Sequence, residues 1–268
     1  MGGIDPAAKA KSSGFEQVNS AEYPEFIARF YDLIYHQMRD GVDNQFYLDR
    51  IKETRGKILE AGVGTGRLFT EALKSSADIY GIDLSPSMLK VLKSKLNVEQ
   101  QKRVSQQNIV DFKSNNRFDL VIAPFRVFMH LTTKEEQSEA LNNVYAHLNH
   151  GGKFIFDAFV PDLKMLINGL DNVSDFEGEF EPGNRVKRFF STKPDLISQL
   201  INVTFRIDWN EGNSYYSREW KSSMRFFFRY ELEHLIERSQ FSHYKILGDF
   251  MGNELNPESK EFIIFCQK

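Results

Sequence analysis

The chain has 268 residues, 41% hydrophobic and 26% charged, with a net charge of −3 and one cysteine, Cys266. This composition excludes wholesale disorder and collagen-like repeats, and the length allows one to two domains with a large core. No apolar run approaches the ~18 residues of a membrane helix, no global basic field draws the chain onto nucleic acid, and one thiol makes neither an intrachain disulfide nor a multi-thiolate metal site, so a reducing, cytoplasmic setting is expected.

Residues 1–20 are small, polar and aperiodic, without an apolar secretory core, and read as a disordered tail. From Tyr23 the pattern turns helical: Phe26, Ile27, Phe30, Tyr31, Ile34 and Tyr35 recur at spacings of three and four. Asp40-Gly41 breaks this helix and a second covers Asn44 to Thr54, so residues 21–54 are expected to form a helical cap. The apolar run Lys57 to Glu60 then enters Gly62-Val63-Gly64-Thr65-Gly66, and a helix follows from Arg67 to Ser75: the first half of a βαβ unit. A second strand spans Asp78 to Asp83, and Ser85-Pro86-Ser87 caps a helix reaching about Leu96. Further strands are expected at Arg103 to Asn108, Phe118 to Ala123 and Lys153 to Phe159. Between the last two lies a helix from Lys134 to Leu148, stopped by His150-Gly151-Gly152. This alternation predicts an α/β fold: a Rossmann-like, doubly wound, mainly parallel sheet of seven strands.

After Pro161 the rhythm changes. Ile201, Val203, Phe205, Ile207 and Trp209 alternate with polar residues, a turn follows at Asn210 to Asn213, and Ser214 to Phe226 reads as the return strand, with Arg185 to Phe190 beside them. Residues 162–225 are therefore expected to be an antiparallel insert lying over the sheet as a lid, within a single domain spanning 21–268. A helix from Tyr230 to Ser239 and strands near Tyr244 to Gly248 and Glu261 to Cys266 complete the sheet.

The glycine loop lets backbone approach a ligand where side chains would block it. A nicotinamide or flavin enzyme wants G-x-G-x-x-G; here the third glycine comes one place early and Arg67 follows it. Asp83, ending the second strand, suits a ribose diol in either case. The remaining reading is a tight turn with no ligand.

Four ordered motifs carry a resemblance to the class I S-adenosylmethionine-dependent methyltransferases. Glu60-Ala61-Gly62-Val63-Gly64-Thr65-Gly66 is similar to their E/D-x-G-x-G-x-G loop, and Asp83 sits where their ribose-binding acid is expected. Phe118 to Ala123 matches their fourth strand and Leu148 to Lys153 their L-x-x-G-G turn. The resemblance covers about residues 23 to 160 and, less specifically, the last 45. It implies S-adenosylmethionine as cofactor, with Glu60, Gly62 and Gly64 in its loop, Asp83 on the ribose, and Leu84 and Met88 against adenine or ribose. It puts Asn108 and Ile109 where the family often has an adenine-binding Asp, and Ala123 near the sulfonium. Tyr31-Asp32-Leu33-Ile34-Tyr35 resembles the Y-D-x-x-Y segment of small-molecule members, with Tyr31 over the methionine end.

Methyl transfer needs alignment, exclusion of water and, for some acceptors, removal of a proton; it requires no metal. His130, in the loop Pro124 to Leu131, is the candidate catalytic group, since related sugar-amine N-methyltransferases have a histidine in a similar loop. Arg126, Tyr216 and Trp220 are candidate acceptor contacts. His36, His147, His150, His234 and His243 form no metal-ligating pattern. The leading expectation is methylation of a nitrogen or oxygen of a small molecule, with no nucleic-acid or membrane partner. The alternatives are a cofactor-binding protein with other chemistry, an RNA or protein methyltransferase, and an NAD-dependent dehydrogenase.

Overall fold

The computed structural model describes residues 22–38 and 41–268; the expected tail at 1–20, and Asp40 of the expected break, lie outside the described residues. Two helices come first, α1 (Glu25–Met38) and α2 (Val42–Glu53), and Gly41 makes the left-handed turn into the second at φ 82°. Strand and helix then alternate: β1 (Ile58–Ala61), α3 (Arg67–Lys74), β2 (Ile79–Asp83), α4 (Pro86–Ser94), a short α5 (Val98–Gln101), β3 (Val104–Gln106) and β4 (Phe118–Ala123). A 3-10 turn over Val127–His130 leads to α6 (Lys134–His147) and β5 (Leu148–Phe159). The helix starts follow their sequence signals. Ser85 accepts from the Met88 N–H with Pro86 in the first turn, and Thr133 and Glu136 close a reciprocal capping box on α6.

With β10 (His243–Leu247) and β11 (Glu261–Gln267), the main sheet has the order β10-β11-β5-β4-β1-β2-β3. Strands β1 to β5 run parallel, while β11 is antiparallel to both its neighbours. All of β1 is buried, as a parallel strand covered on both faces requires. This is the expected doubly wound, seven-stranded α/β sheet. The strand order reverses between β1 and β4, and a crevice opens beyond their carboxyl ends. Gly151-Gly152 differs from expectation: it does not precede β5 but bulges within it, and the pairing with β4 jumps from Phe118–Leu148 to Leu120–Lys153.

The insert is more regular than its sequence suggests, and it has a fourth strand. After α7 (Leu163–Asn168) come four antiparallel strands of 12 residues each: β6 (Leu170–Glu181), β7 (Asn184–Asp195), β8 (Leu200–Glu211) and β9 (Ser214–Arg225). Then α8 (Arg229–Glu237) returns the chain to the main sheet. One face of the insert packs on α1, where Ile27, Phe30 and Ile34 meet Val186, Ile207, Trp209 and Trp220. Phe30 lies 5.0 Å from the Phe180 ring and 5.5 Å from Trp209. The far end of the insert joins the main core through Ile201 and Val203. Phe30→Ala empties the centre of this contact. A loss of about 3–5 kcal/mol from the lid–α1 unit is expected, read as faster proteolysis within 170–225 than within the main sheet.

Candidate functional site

The first contributor is the turn after β1. Gly62, Gly64 and Gly66 have φ of 72°, 56° and 83°, all left-handed, which favours glycine. The outer two are also packed: a Cβ on Gly62 would stand 2.3 Å from Val127 Cγ2, and one on Gly66 would stand 2.2 Å from Leu92 Cδ1. At Gly64 a Cβ would meet nothing nearer than the Gly62 carbonyl at 3.9 Å. Backbone there faces open space.

That space is a cavity of about 1020 Å³, solvent at its mouth included, sited at the β1/β4 crevice. Asp83, ending β2, accepts the Gly64 N–H through Oδ2 and the Ser85 N–H through Oδ1, each at 2.8 Å. A carboxylate has about four lone-pair sites; the Leu84 N–H also bears on it, and part of its capacity remains for a diol. Burial pushes the Asp83 carboxyl up to about 6, against the pull of those backbone donors. Glu60 is fully buried at the end of β1, and its Oε2 has no hydrogen-bond partner. Burial holds its carboxyl well above the ordinary range, opposed by the Arg67 charge.

The opposite wall is the loop after β4. Phe125 and Val127 face the cavity with His130 and Leu131, and the Arg67 guanidinium stacks 3.8 Å from the Phe125 ring. His130 Nε2 lies 3.3 Å from the Tyr23 hydroxyl, while its Nδ1 is sealed from solvent without a partner. Desolvation lowers the imidazole to about 4, so the ring is neutral at physiological pH. Tyr23 is held over the cavity by Ser85, whose Oγ donates to its carbonyl at 2.9 Å. Its ring rests on Trp220 of the insert at 4.4 Å. Among the described residues no group of three His, Cys, Asp or Glu side chains is arranged to hold a metal.

Residues 58–152 match the family model described as "Methyltransferase domain". That segment, about a third of the chain, is similar to a methyltransferase domain. An uncharacterised methyltransferase of Bacillus cereus is 30% identical over 142 residues, which cover 53% of this chain and 59% of that protein. The chain thus spans less than two thirds of the length of the curated relatives it matches. An S-adenosylmethionine-dependent methyltransferase of Clostridium acetobutylicum superposes with a TM-score of 0.71 at 20% identity, covering 91% of this chain and 97% of the other. The sugar N-methyltransferase KedS8 of Streptoalloteichus also superposes at 0.71, with 18% identity over 100% and 99% of the two chains. At these identities the likeness is one of fold.

Tyr31, Glu60, Gly62, Gly64, Asp83, Leu84, Met88, Asn108, Ile109 and His130 all line this cavity. The Asn108 side-chain oxygen already accepts the Val110 N–H at 3.1 Å. Ala123 is fully buried in β4, and the next residue, Pro124, stands on the wall. The expected acceptor contacts are placed elsewhere. Arg126 turns away from the cavity into an ion pair with Asp157, and its other nitrogen reaches Glu261 at 2.6 Å. Two carboxylates therefore already match its charge. Tyr216 stacks on Trp209 at 5.1 Å, and Trp220 backs Tyr23 rather than lining the space. Tyr23, Arg67, Phe125 and Val127 line the cavity without having been singled out as site residues. The packing partners that bring them there lie far away in the chain. Only the neighbourhood of Tyr23 to the Y-D-x-x-Y helix offered a signal.

The raised Asp83 value sets a pH dependence. Its carboxyl titrates near 6 in the folded chain and near 3.8 in the absence of structure, so the folded state binds the extra proton between these values. That contribution is fully present below about pH 4 and is lost as pH rises through about 6, amounting to up to about 3 kcal/mol. Urea unfolding from pH 4 to pH 7 is expected to show this slope, and Asp83→Asn is expected to flatten it.

Proposed function

We propose that this chain transfers a methyl group from S-adenosylmethionine to a nitrogen or oxygen of a small-molecule acceptor by in-line displacement. The observation that carries the reading is the convergence on one cavity of three unmet needs: the open backbone face at Gly64, the spare lone pairs of Asp83 and the unpartnered Glu60 oxygen. An adenosyl amino acid answers all three, with a diol for Asp83 and an ammonium for Glu60. When bound, the cofactor supplies the activated methyl group.

The chain's own residues do the rest. Gly64 admits the ligand to the backbone, with Gly62 beside it on the wall, and Asp83 orients the ribose. Leu84, Met88 and Ile109 provide the apolar bed for the adenosine, with Asn108 at its edge. Tyr31 and Tyr23 close the space from the side of α1 and exclude water. His130, kept neutral by burial, presents a lone pair to the N–H or O–H of the acceptor, and Tyr23 orients the ring. The closing of the cavity by Tyr31 of α1 and by Tyr23, which Trp220 of the insert backs, supports a small acceptor. The likeness to a sugar N-methyltransferase puts amino sugars first in an acceptor screen.

Calorimetric titration with S-adenosylmethionine, S-adenosylhomocysteine and NAD tests the reading. The first two are expected to bind in the micromolar range and NAD not at all; binding of NAD alone would overturn it. Affinity is expected to fall as pH drops below about 6, where Asp83 takes a proton and loses acceptor capacity. His130→Ala is expected to lower turnover about 10²-fold while cofactor affinity stays the same. Unchanged turnover would reduce His130 to packing.

A further inference from the structure

The loop after β4 has an unusual backbone. Phe125 and Arg126 are consecutive non-glycine residues with φ of 62° and 72°. Each left-handed residue of this kind costs roughly 1–2 kcal/mol, so the surroundings must impose the shape. The same two residues open the segment that carries Val127, His130 and Leu131 into the cavity.

The imposing group is Asp157, fully buried near the end of β5. Its Oδ1 accepts the Phe125 N–H at 2.8 Å and the Tyr47 hydroxyl at 2.6 Å. Its Oδ2 accepts the Arg126 N–H at 3.2 Å and the Arg126 guanidinium. Two successive N–H groups in a left-handed turn form an anion-binding concavity, and here the chain fills it with its own carboxylate. Arg126, pinned also by Glu261, clamps the turn from the far side.

We infer that Asp157 is a positioning residue: its carboxylate moulds the Phe125–Arg126 turn and so places His130 in the cavity. The link to methyl transfer rests on the function proposed above. The placement of His130 does not, and it can be read without substrate. Asp157→Asn keeps the shape but leaves one oxygen where two faced the turn, with an amide NH₂ opposing a donor. The loop should relax and water should reach the His130 Nδ1, which the native loop seals from solvent.

The test is proton NMR of the His130 ring, assigned by its loss in His130→Ala. The polar group facing that ring is the Tyr23 hydroxyl, which Asp157→Asn does not touch. In the wild-type chain the ring is expected to titrate near 4; in the folded Asp157→Asn protein the midpoint is expected to climb toward the ordinary 6.5. Turnover with an accepted substrate should drop about 10²-fold, as a misplacement of about 1 Å can cause. Tyr47→Phe is the companion variant, since it removes a donor to Asp157 but leaves both loop N–H bonds. It is expected to lower stability while the His130 titration stays at the wild-type value. The inference is overturned if His130 titrates unchanged in folded Asp157→Asn, or if Tyr47→Phe alone moves His130. The second arm holds even where Asp157→Asn does not fold. Absence of S-adenosylmethionine binding by the wild-type chain would strike the proposed function and leave these NMR outcomes to decide the placement.

Discussion

The left-handed turn after β1 is the constraint from which the cavity follows. Two of its glycines are there because neighbouring side chains occupy the space a Cβ would need: Val127 at Gly62 and Leu92 at Gly66. The turn is thereby locked against the loop after β4 on one side and against α4 on the other. A single methyl at either position would push those elements apart by an ångström or more, which packed interiors do not absorb cheaply. Gly64, between them, has no such neighbour. Its conformational freedom buys an uncovered stretch of backbone at the point where the strand order of the sheet reverses.

The buried carboxylates around this turn fall into two kinds. Asp157 is saturated, with Tyr47, two backbone N–H groups and a guanidinium all donating to it. Such a group fixes shape, because moving any donor strands a charge in a low-dielectric interior. Glu60 and Asp83 are under-satisfied, and burial drives both toward their neutral forms. His130 is driven the same way, toward the uncharged imidazole. Charged-state penalties gathered in one cavity cost folding stability, and perturbed groups of this sort cluster at functional sites. The saturated carboxylate holds the wall, and the unsaturated ones face the space that a ligand would fill.

The main sheet was legible because parallel strands buried on both faces leave short apolar runs, and here glycine and proline punctuate them. The cavity residues contiguous with those runs, from Glu60 to Gly64, Asp83 to Met88 and Asn108 to Ile109, were legible for the same reason. Strand β6 was not: along its 12 residues only Phe176 is buried, so no alternation marks it. Tyr23 meets His130 across 107 positions and Tyr47 meets Asp157 across 110. No local pattern encodes a contact at that separation. Arg126 shows the same limit in reverse. A cation in the loop after β4 reads as an acceptor contact until the fold reveals that β5 and β11 have already supplied its two counter-ions.

The position of α1 ties the insert to the glycine turn, through bonds of two kinds. On the turn side, Asp32 accepts the Thr65 hydroxyl at 2.5 Å, and Lys95 bridges Asp32 and the Thr65 carbonyl. Lys95 and Asp32 keep 34% and 44% of their side chains exposed, and exposed pairs of this kind are each worth up to about 1 kcal/mol. On the lid side, Phe30, Ile34, Trp209 and Trp220 are buried together, and a single buried aromatic is worth several times more. The same apolar cluster also takes in Met88 and Val91 of α4, so α1 is shared between the insert and the main sheet. The wall that carries Tyr31, and Tyr23 just before it, is thus held on one flank by the insert and on the other by α4, with the polar bonds of Asp32 and Lys95 fixing its register to the glycine turn.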